Sequence, residues 1–347
     1  CVLAASIDRF TVVMGRAVTG TRCRVHSTHL RQTAEFDRQD RTPHPGDGHL
    51  GLVRGVVAAL VDRQADLPAF EAVITGNLPV AGGLSSSASL TAATARFLQC
   101  LGPVEIDPID LAIALQGVEN RFAGVRCGLL DPLTVLCGQA MHWVYLDCAT
   151  QRCELLPTGD QAPAMVLFNA GSPRELVDGR YNERRGECEA AAGQVSRLLD
   201  RPIDKLCQLA VPDLEGLAGR LDPTLCRRAR HVIEENHRVS QARTDLLAGR
   251  WDRLGQLLVE SHRSSQLNFE NSTPELDAIC EAAWAQPGCW GARLCGAGWG
   301  GSAIALVHPA ELEQVGRAVR QSVLVAVGRE PGVMVCKPAD GAHGVVL

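Results

Sequence analysis

A short loop that leads into a helix constrains this chain more than any other stretch, at residues 78–90 (LPVAGGLSSSASL). Before it, alternating apolar and polar residues at 70–76 predict a strand; after it, apolar residues at helical spacing over 88–100 predict a helix. The proline and the paired glycines let the loop backbone approach a ligand closely. Three serines, residues 85–87, then fall at the helix N-cap and first turn, where hydroxyls and unpaired N–H groups favour a phosphate.

The residues alone also allow a plainer interpretation, an ordinary serine-capped helix after a glycine turn. The stretch is not a Walker P-loop, because no Gly-Lys-Ser/Thr follows the glycines. A second glycine cluster, GAGWGG at residues 296–301, lies between two apolar strand-like segments. It fits a glycine-rich hairpin, or a backbone that packs against the serine loop and shapes a phosphate site.

Two carboxylates, Glu119 and Asp131, are the candidate chemical groups. Glu119 lies near the end of a helix predicted at residues 108–121, and Asp131 is expected in the loop after Gly128. One can hold Mg²⁺ beside phosphates while the other accepts a proton from an attacking hydroxyl. Two solvated acids remain the alternative, although the apolar run around Asp131 (CGLLDPLTVL) is an unusual setting for an unpartnered surface acid.

Composition excludes several classes of function. The net charge is −5 and no Lys/Arg run occurs, so nothing indicates a nucleic-acid surface. No apolar run approaches the roughly 18 residues that span a bilayer. The fourteen cysteines show no CxxC pair and the ten histidines no metal-binding spacing, which favours free thiols in a reducing cytoplasm. We expect a cytoplasmic monomer or weak homo-oligomer that binds neither nucleic acid nor membrane.

The predicted secondary structure changes along the chain. Residues 2–16 predict a strand that pairs with 22–26 as a hairpin, and long charged helices follow residue 175. Strands mixed with helices in front and a helix-rich half behind predict an α+β protein with two domains, 1–162 and 163–347.

Five segments, in order, resemble those of galactokinases, within the superfamily of galactokinase, homoserine kinase, mevalonate kinase and phosphomevalonate kinase (GHMP). They are LPVAGGLSSSASL, QGVENRFAGVRCGLLD, RYNERRGEC, SHRSSQLNF with NSTPELD, and the closing ADGA. GAGWGG is similar to the third motif of that superfamily. The resemblance runs from about Val2 to the C-terminus and implies a domain like ribosomal protein S5 followed by a ferredoxin-like domain.

The resemblance also implies roles for individual residues. By this resemblance, Asp131 is the catalytic base, and Ser87 and Glu119 are the Mg²⁺ ligands. Gly128, Asp131 and Tyr181 are the residues that bind the sugar. A structural tyrosine that caps a helix is the alternative for Tyr181. The expected ATP-binding residues are Gly82, Gly83, Leu84, Ser85, Ser86, Ser87 and Ala88.

The implied activity is ATP-dependent phosphorylation of the anomeric hydroxyl of galactose. The alternatives are a kinase for N-acetylgalactosamine, a uronic acid or arabinose, and a non-catalytic sugar- and ATP-sensing regulator. The chain departs from the family pattern in two ways. Pro132 replaces the usual glutamine after the aspartate, and no GR-x-N-x-x-GEH-x-DY motif occurs. We expect that sugar-reading motif upstream of Cys1, so the resemblance implies an N-terminally truncated chain.

Overall fold

The computed structural model describes residues 1–44, 46–63, 66–79, 83–159, 161–171, 177–217 and 219–347, without the side chains of Val177 and Asp178. The strands are β1 (Val2–Ala4), β2 (Thr11–Val18), β3 (Arg22–Ser27), β4 (Gln32–Asp37), β5 (Ala69–Gly76), β6 (His142–Asp147), β7 (Arg152–Pro157), β8 (Ala164–Asn169), β9 (Cys289–Cys295), β10 (Ser302–Val307) and β11 (Gly332–Cys336). The helices are α1 (Gly51–Val61), α2 (Ser86–Leu101), α3 (Pro108–Val118), α4 (Leu130–Cys137), α5 (Val177–Leu199), α6 (Asp213–Leu217), α7 (Pro223–Leu247), α8 (Trp251–Ser264), α9 (Pro274–Trp284) and α10 (Leu312–Val327). Two π turns, Glu119–Ala123 and Ser265–Phe269, follow α3 and α8. The predicted α+β class is confirmed.

The chain divides into two compact units. Unit A comprises residues 4–80, 85–144 and 338–347. Unit B comprises residues 1–3, 81–84 and 145–337. A three-stranded sheet has the order β1-β6-β7, and each of the other two sheets has four strands. No helix in the described ranges is both long enough and apolar enough to cross a membrane.

The sheet of unit A has the order β2-β5-β3-β4, with β5 antiparallel to β2 and parallel to β3. The predicted hairpin between residues 2–16 and 22–26 is therefore wrong. Residues 5–10 separate β1 from β2, and β5 lies between β2 and β3. Strand β5 takes this inner place because Phe70 and Ile74, on its core face, are almost fully buried.

Helix α2 covers this sheet and fixes the position of the serine loop. Its buried residues include Leu90, Phe97 and Leu98, and the Phe97 ring meets that of Phe70 edge to face at 5.4 Å. Burying each such side chain stabilises the fold by about 1.5–3 kcal/mol. The closing ADGA segment lies along α4, where the N–H of Ala342 donates to the carbonyl of Val135 at 2.7 Å.

The sheet of unit B has the order β11-β8-β10-β9, and all its pairings are antiparallel. Helices α9 and α10 pack on it over a core that includes Phe168, Ile279 and Val319. A second core joins α5, α6 and α7 and includes Val195, Leu217 and Ile233. The long helices predicted after residue 175 are present as α5, α7 and α8.

Candidate functional site

The serine loop turns into α2 through residues with left-handed backbone. Gly83 has φ +79° and Ser85, the N-cap residue, has φ +55°. Ser85 makes no side-chain capping hydrogen bond, so its hydroxyl and the first N–H groups of α2 keep their capacity to bind a ligand. Ser86 and Ser87 begin the helix and are half-buried. The predicted placement of the serines at the N-cap and first turn is confirmed.

The other expected ATP-binding residues differ in what they can offer. Gly82 lies outside the described residues. Leu84 is half-buried, whereas Ala88 is fully buried, so only its backbone N–H can face a ligand. The nucleotide-binding role of the whole loop stays a prediction.

Glu119 is a buried carboxylate, 6% exposed, at the start of the π turn that follows α3. Burial raises its pKa from 4.5 to about 7, and the charge of Asp131 contributes to the rise. The side chains of Cys127 and Ser87 oppose the shift by hydrogen bonding to the carboxylate. The fold thus brings Ser87, Glu119 and Asp131, which are distant in sequence, into one cluster within unit A.

Asp131 lies in the first turn of α4 and not in a loop, which corrects the sequence-based expectation. Helix α4 begins at Leu130, one residue earlier than the acid. Pro132 is the third helical residue, where a backbone N–H has no intrahelical partner and its absence costs nothing. The proline after Asp131 is therefore compatible with a regular helix start, and the helix dipole favours a negative charge there.

Cys127 is a neighbour of this cluster that the sequence reasoning missed. Burial, with the adjacent charge of Glu119, raises the pKa of its thiol to about 12, so the group stays a neutral thiol. The amide of Gln116 donates to the carbonyl of Cys127 at 2.9 Å and ties this segment to α3. The sequence feature that could have pointed to Cys127 is its position directly before Gly128. Gly128 is exposed and faces open space, so the protein's own packing does not demand glycine there.

The cluster fits a magnesium ion. Oε1 of Glu119 is buried and has no hydrogen-bond partner among the described residues. The negative charge of Asp131 lies close by, and a cation bound here would stabilise both carboxylates. Mg²⁺ prefers oxygen ligands and needs only one or two protein carboxylates beside phosphates and waters. The described residues contain no group of three or more His, Cys, Asp or Glu that could hold a metal by themselves. A shared protein–phosphate site is consistent with both observations.

A small pocket of about 30 Å³ lies beside the serine loop in unit A. Its lining combines apolar side chains with a few polar groups: Phe10, Thr11, Ser27, His29, Leu30, His49, Leu50, Ile74, Thr75, Gly76, Leu78, Ser86 and Leu90. Burial lowers the pKa of His49, which favours a neutral imidazole. A space of this size holds one or two water molecules and is too small for a nucleotide base.

Two further predicted elements belong to unit B. Tyr181 is half-buried in the second turn of α5, past the helix start. The glycine loop, residues 296–301, connects β9 to β10. Gly83 and Leu84 of the serine loop also belong to unit B. The sugar-binding role of Tyr181 stays a prediction.

Sequence comparisons match two family models to this chain. Residues 51–139 match the N-terminal domain of GHMP kinases, and residues 242–325 match the GHMP kinase C-terminal domain. A galactokinase from Exiguobacterium sibiricum is 37% identical over 317 residues, covering 90% of this chain and 79% of that protein. A galactokinase from Pasteurella multocida is 35% identical, covering 98% of this chain and 88% of its own length.

Structural comparisons agree with the sequence matches. The crystal structure of Lactococcus lactis galactokinase with galactose has a TM-score of 0.93 and 31% identity, covering 98% of this chain and 88% of that one. Mevalonate kinase from Methanococcus jannaschii has a TM-score of 0.64 at 14% identity, covering 97% and 91%. The second similarity shows a shared fold only.

Proposed function

Because the chain belongs to the galactokinase family of GHMP kinases, we propose that it transfers the γ-phosphoryl group of ATP to the anomeric hydroxyl of galactose. The predicted GHMP kinase fold is confirmed by the same comparisons. The observation that carries the proposal is the cluster of Ser87, Glu119 and Asp131 at the N-terminus of α2. Phosphoryl transfer requires mainly positioning and charge stabilisation, and this cluster offers both.

In the proposed reaction Asp131 accepts the proton of the sugar hydroxyl while the sugar oxygen bonds to the γ-phosphorus and ADP leaves. Ser85, Ser86 and the first N–H groups of α2 bind phosphate oxygens. Ser87 and Glu119 would hold Mg²⁺, which would supply positive charge to neutralise the phosphates. The buried, unpartnered Oε1 of Glu119 supports this assignment.

Gly128, Asp131 and Tyr181 are the proposed sugar contacts. None of the fourteen cysteines, all within the described ranges, forms a disulfide, which supports our placement of the protein in a reducing cytoplasm.

The test is ADP release that depends on a sugar, measured with galactose, N-acetylgalactosamine, galacturonic acid and arabinose side by side. We expect galactose to give the highest kcat/KM and the product to be galactose 1-phosphate. A higher kcat/KM for another sugar would replace galactose as the substrate. Binding of both ATP and galactose without turnover would instead indicate a sensing protein.

A further inference from the structure

The glycine loop has an unusual backbone. Five of its six residues have positive φ, from +53° to +119°: Gly296, Gly298, Trp299, Gly300 and Gly301. Trp299 is a large, buried, non-glycine residue at φ +53°. A non-glycine residue in this region costs about 1–3 kcal/mol and persists only where its surroundings hold it. Contacts with other residues of unit B must therefore hold the loop in this conformation.

Asn271 makes three of the contacts that fix this loop. Its carbonyl accepts from the N–H of Trp299 at 2.7 Å, and its side-chain amide donates to the carbonyl of Ala297 at 2.9 Å. A Cβ added to Gly298 would lie 2.1 Å from the Asn271 carbonyl, so the two backbones touch. Asn271 is only 5% exposed, and its Oδ1 has no hydrogen-bond partner in the described part of the chain.

The segment that carries Asn271 is itself firmly held. Arg228, on α7, donates to Glu187 and Glu270 at 2.6 Å each, and to the carbonyl of Asn268 at 2.7 Å. Because Arg228 is 2% exposed, these bonds are sheltered from water. They join α5, α7 and the π turn that precedes Asn271.

Arg184 adds an aromatic contact between the same elements. Its guanidinium lies 5.3 Å from the ring centroid of Phe269, in the π turn, and 5.4 Å from that of Trp299. Such cation–π contacts favour one position of the tryptophan ring over others. Arg184 also pairs with Glu187 at 2.6 Å, which keeps the guanidinium in place.

A buried histidine fixes the strand that leads into the loop. His262, which is fully buried, accepts from the N–H of Leu294 in β9 through Nδ1 at 3.1 Å. Its Nε2 therefore carries the proton and donates to Asp277 at 3.1 Å. Segment 261–277, which is the galactokinase-like segment SHRSSQLNF with NSTPELD, thus holds the glycine loop at its base through His262 and at its tip through Asn271.

We propose that Asn271 is a positioning residue for phosphoryl transfer: it holds the glycine loop in the left-handed conformation in which that loop supports Gly83 and Leu84 of the serine loop. The inference rests on the proposed function. Gly83 and Leu84 belong to the same compact unit as the glycine loop, which is what such support requires. Asn271 contacts no reacting atom in this proposal; it acts through the loop backbone.

The test compares Asn271→Ala and the nearly isosteric Asn271→Asp with the matched control Asn268→Ala. Asn268 lies in the same segment, and its amide donates to Ser264 at 3.1 Å instead of to the loop. Three quantities are measured on the full chain: hydrogen exchange of the amides at 292–302, calorimetric affinities for Mg·ATP and galactose, and melting temperature.

Both Asn271 variants lose the donor to Ala297, so we expect faster exchange confined to residues 296–301 and roughly 2- to 10-fold weaker Mg·ATP binding. Galactose affinity and the exchange of β9 and β10 should stay at the wild-type level, and Asn268→Ala should change neither loop exchange nor Mg·ATP affinity. Unchanged loop exchange, unchanged Mg·ATP affinity, or an equal loss of galactose affinity would overturn the proposal. A wild-type chain that binds no Mg·ATP would refute the proposed function instead, and loop exchange would then decide alone whether Asn271 holds the loop.

Discussion

Asp131 has one chemical task in the proposed reaction, to accept the proton of the sugar hydroxyl. Asp131→Asn keeps the shape of the side chain and removes the base, so turnover should fall roughly 10²–10⁴-fold while Mg·ATP binding is largely retained. Asp110→Asn is a suitable control, because Asp110 also lies in the first turn of a helix, α3, and is exposed. Steady-state ADP release checks the prediction. Turnover of Asp131→Asn within a factor of a few of wild type would remove Asp131 from this role.

Ser87 and Glu119 are proposed to share one Mg²⁺. Ser87→Ala and Glu119→Gln should each weaken Mg·ATP binding more than galactose binding, because the metal they would hold would neutralise the phosphate charge. Ser89→Ala serves as the control, since the Ser89 hydroxyl donates to Thr11 at 3.0 Å, away from the cluster. Titration calorimetry with each ligand gives the comparison. Wild-type Mg·ATP affinity in both variants would contradict the metal assignment.

The raised pKa of Glu119 predicts a pH dependence of stability in metal-free protein. Its pKa is 4.5 ordinarily and about 7 in the fold, so between these values the folded chain binds more protons than the unfolded chain. The free energy of unfolding then falls as pH rises through that window. The loss approaches roughly 3–4 kcal/mol, at about 1.4 kcal/mol per pKa unit.

Urea unfolding in EDTA, at about pH 5 and about pH 8, measures this loss. Glu119→Gln cannot ionise, so its stability should fall less over the same interval, and the difference from wild type isolates the contribution of Glu119. Adding Mg·ATP should reverse the wild-type loss, because a bound cation stabilises the carboxylate. Parallel pH profiles of wild type and variant would show that Glu119 does not titrate in this range.

At the scale of elements, Arg228 joins α5, α7 and the π turn after α8. Arg228→Met removes the guanidinium and leaves the carboxylates of Glu187 and Glu270 without their shared partner. We expect a loss of about 3 kcal/mol in the free energy of unfolding, the lower end for breaking a buried pair. Arg230→Met is the matched control on the same helix, and its exposed pair with Glu234 should contribute under about 0.5 kcal/mol. Equal losses from the two variants in urea unfolding would contradict this account.

The elements also show what the sequence could predict. Helices α2 and α7 were predictable because their apolar spacing is regular and α7 begins after an aspartate N-cap with proline next, Asp222 and Pro223. The strand order β2-β5-β3 could not be predicted from the sequence. Strand pairing depends on which strand is most deeply buried, and distant parts of the chain decide that burial. The two π turns leave no mark in apolar periodicity.

The candidate site was predictable in its residues more than in its geometry. Motif resemblance pointed to Ser87, Glu119 and Asp131, and the fold places them in one cluster. Local sequence did not show that Asp131 starts a helix or that Cys127 lies against Glu119, because both depend on how α3 and α4 pack. The domain boundary near residue 163 stays a prediction.

At the scale of the whole molecule, the proposed nucleotide site predicts how a ligand changes stability. A ligand that binds only the folded chain, at a hundred times its dissociation constant, stabilises the chain by about 2.7 kcal/mol. For a unit of this size that corresponds to a rise of roughly 5–10 °C in melting temperature. Ser87, Glu119 and Asp131 all lie in unit A, so the transition that unfolds unit A should shift on addition of Mg·ATP.

Scanning calorimetry of wild type with Mg·ATP, with ATP in EDTA, and with Mg²⁺ alone separates the contributions of nucleotide and metal to the rise in melting temperature. We expect the full shift only with Mg·ATP, because we propose that Ser87 and Glu119 hold the nucleotide through the metal. Glu119→Gln should lose most of that shift at the same ligand concentration and keep its response to galactose. A shift of equal size for ATP in EDTA would mean that the serine loop and the start of α2 bind the phosphates without a metal. In that case the buried carboxylate of Glu119 would need a different explanation.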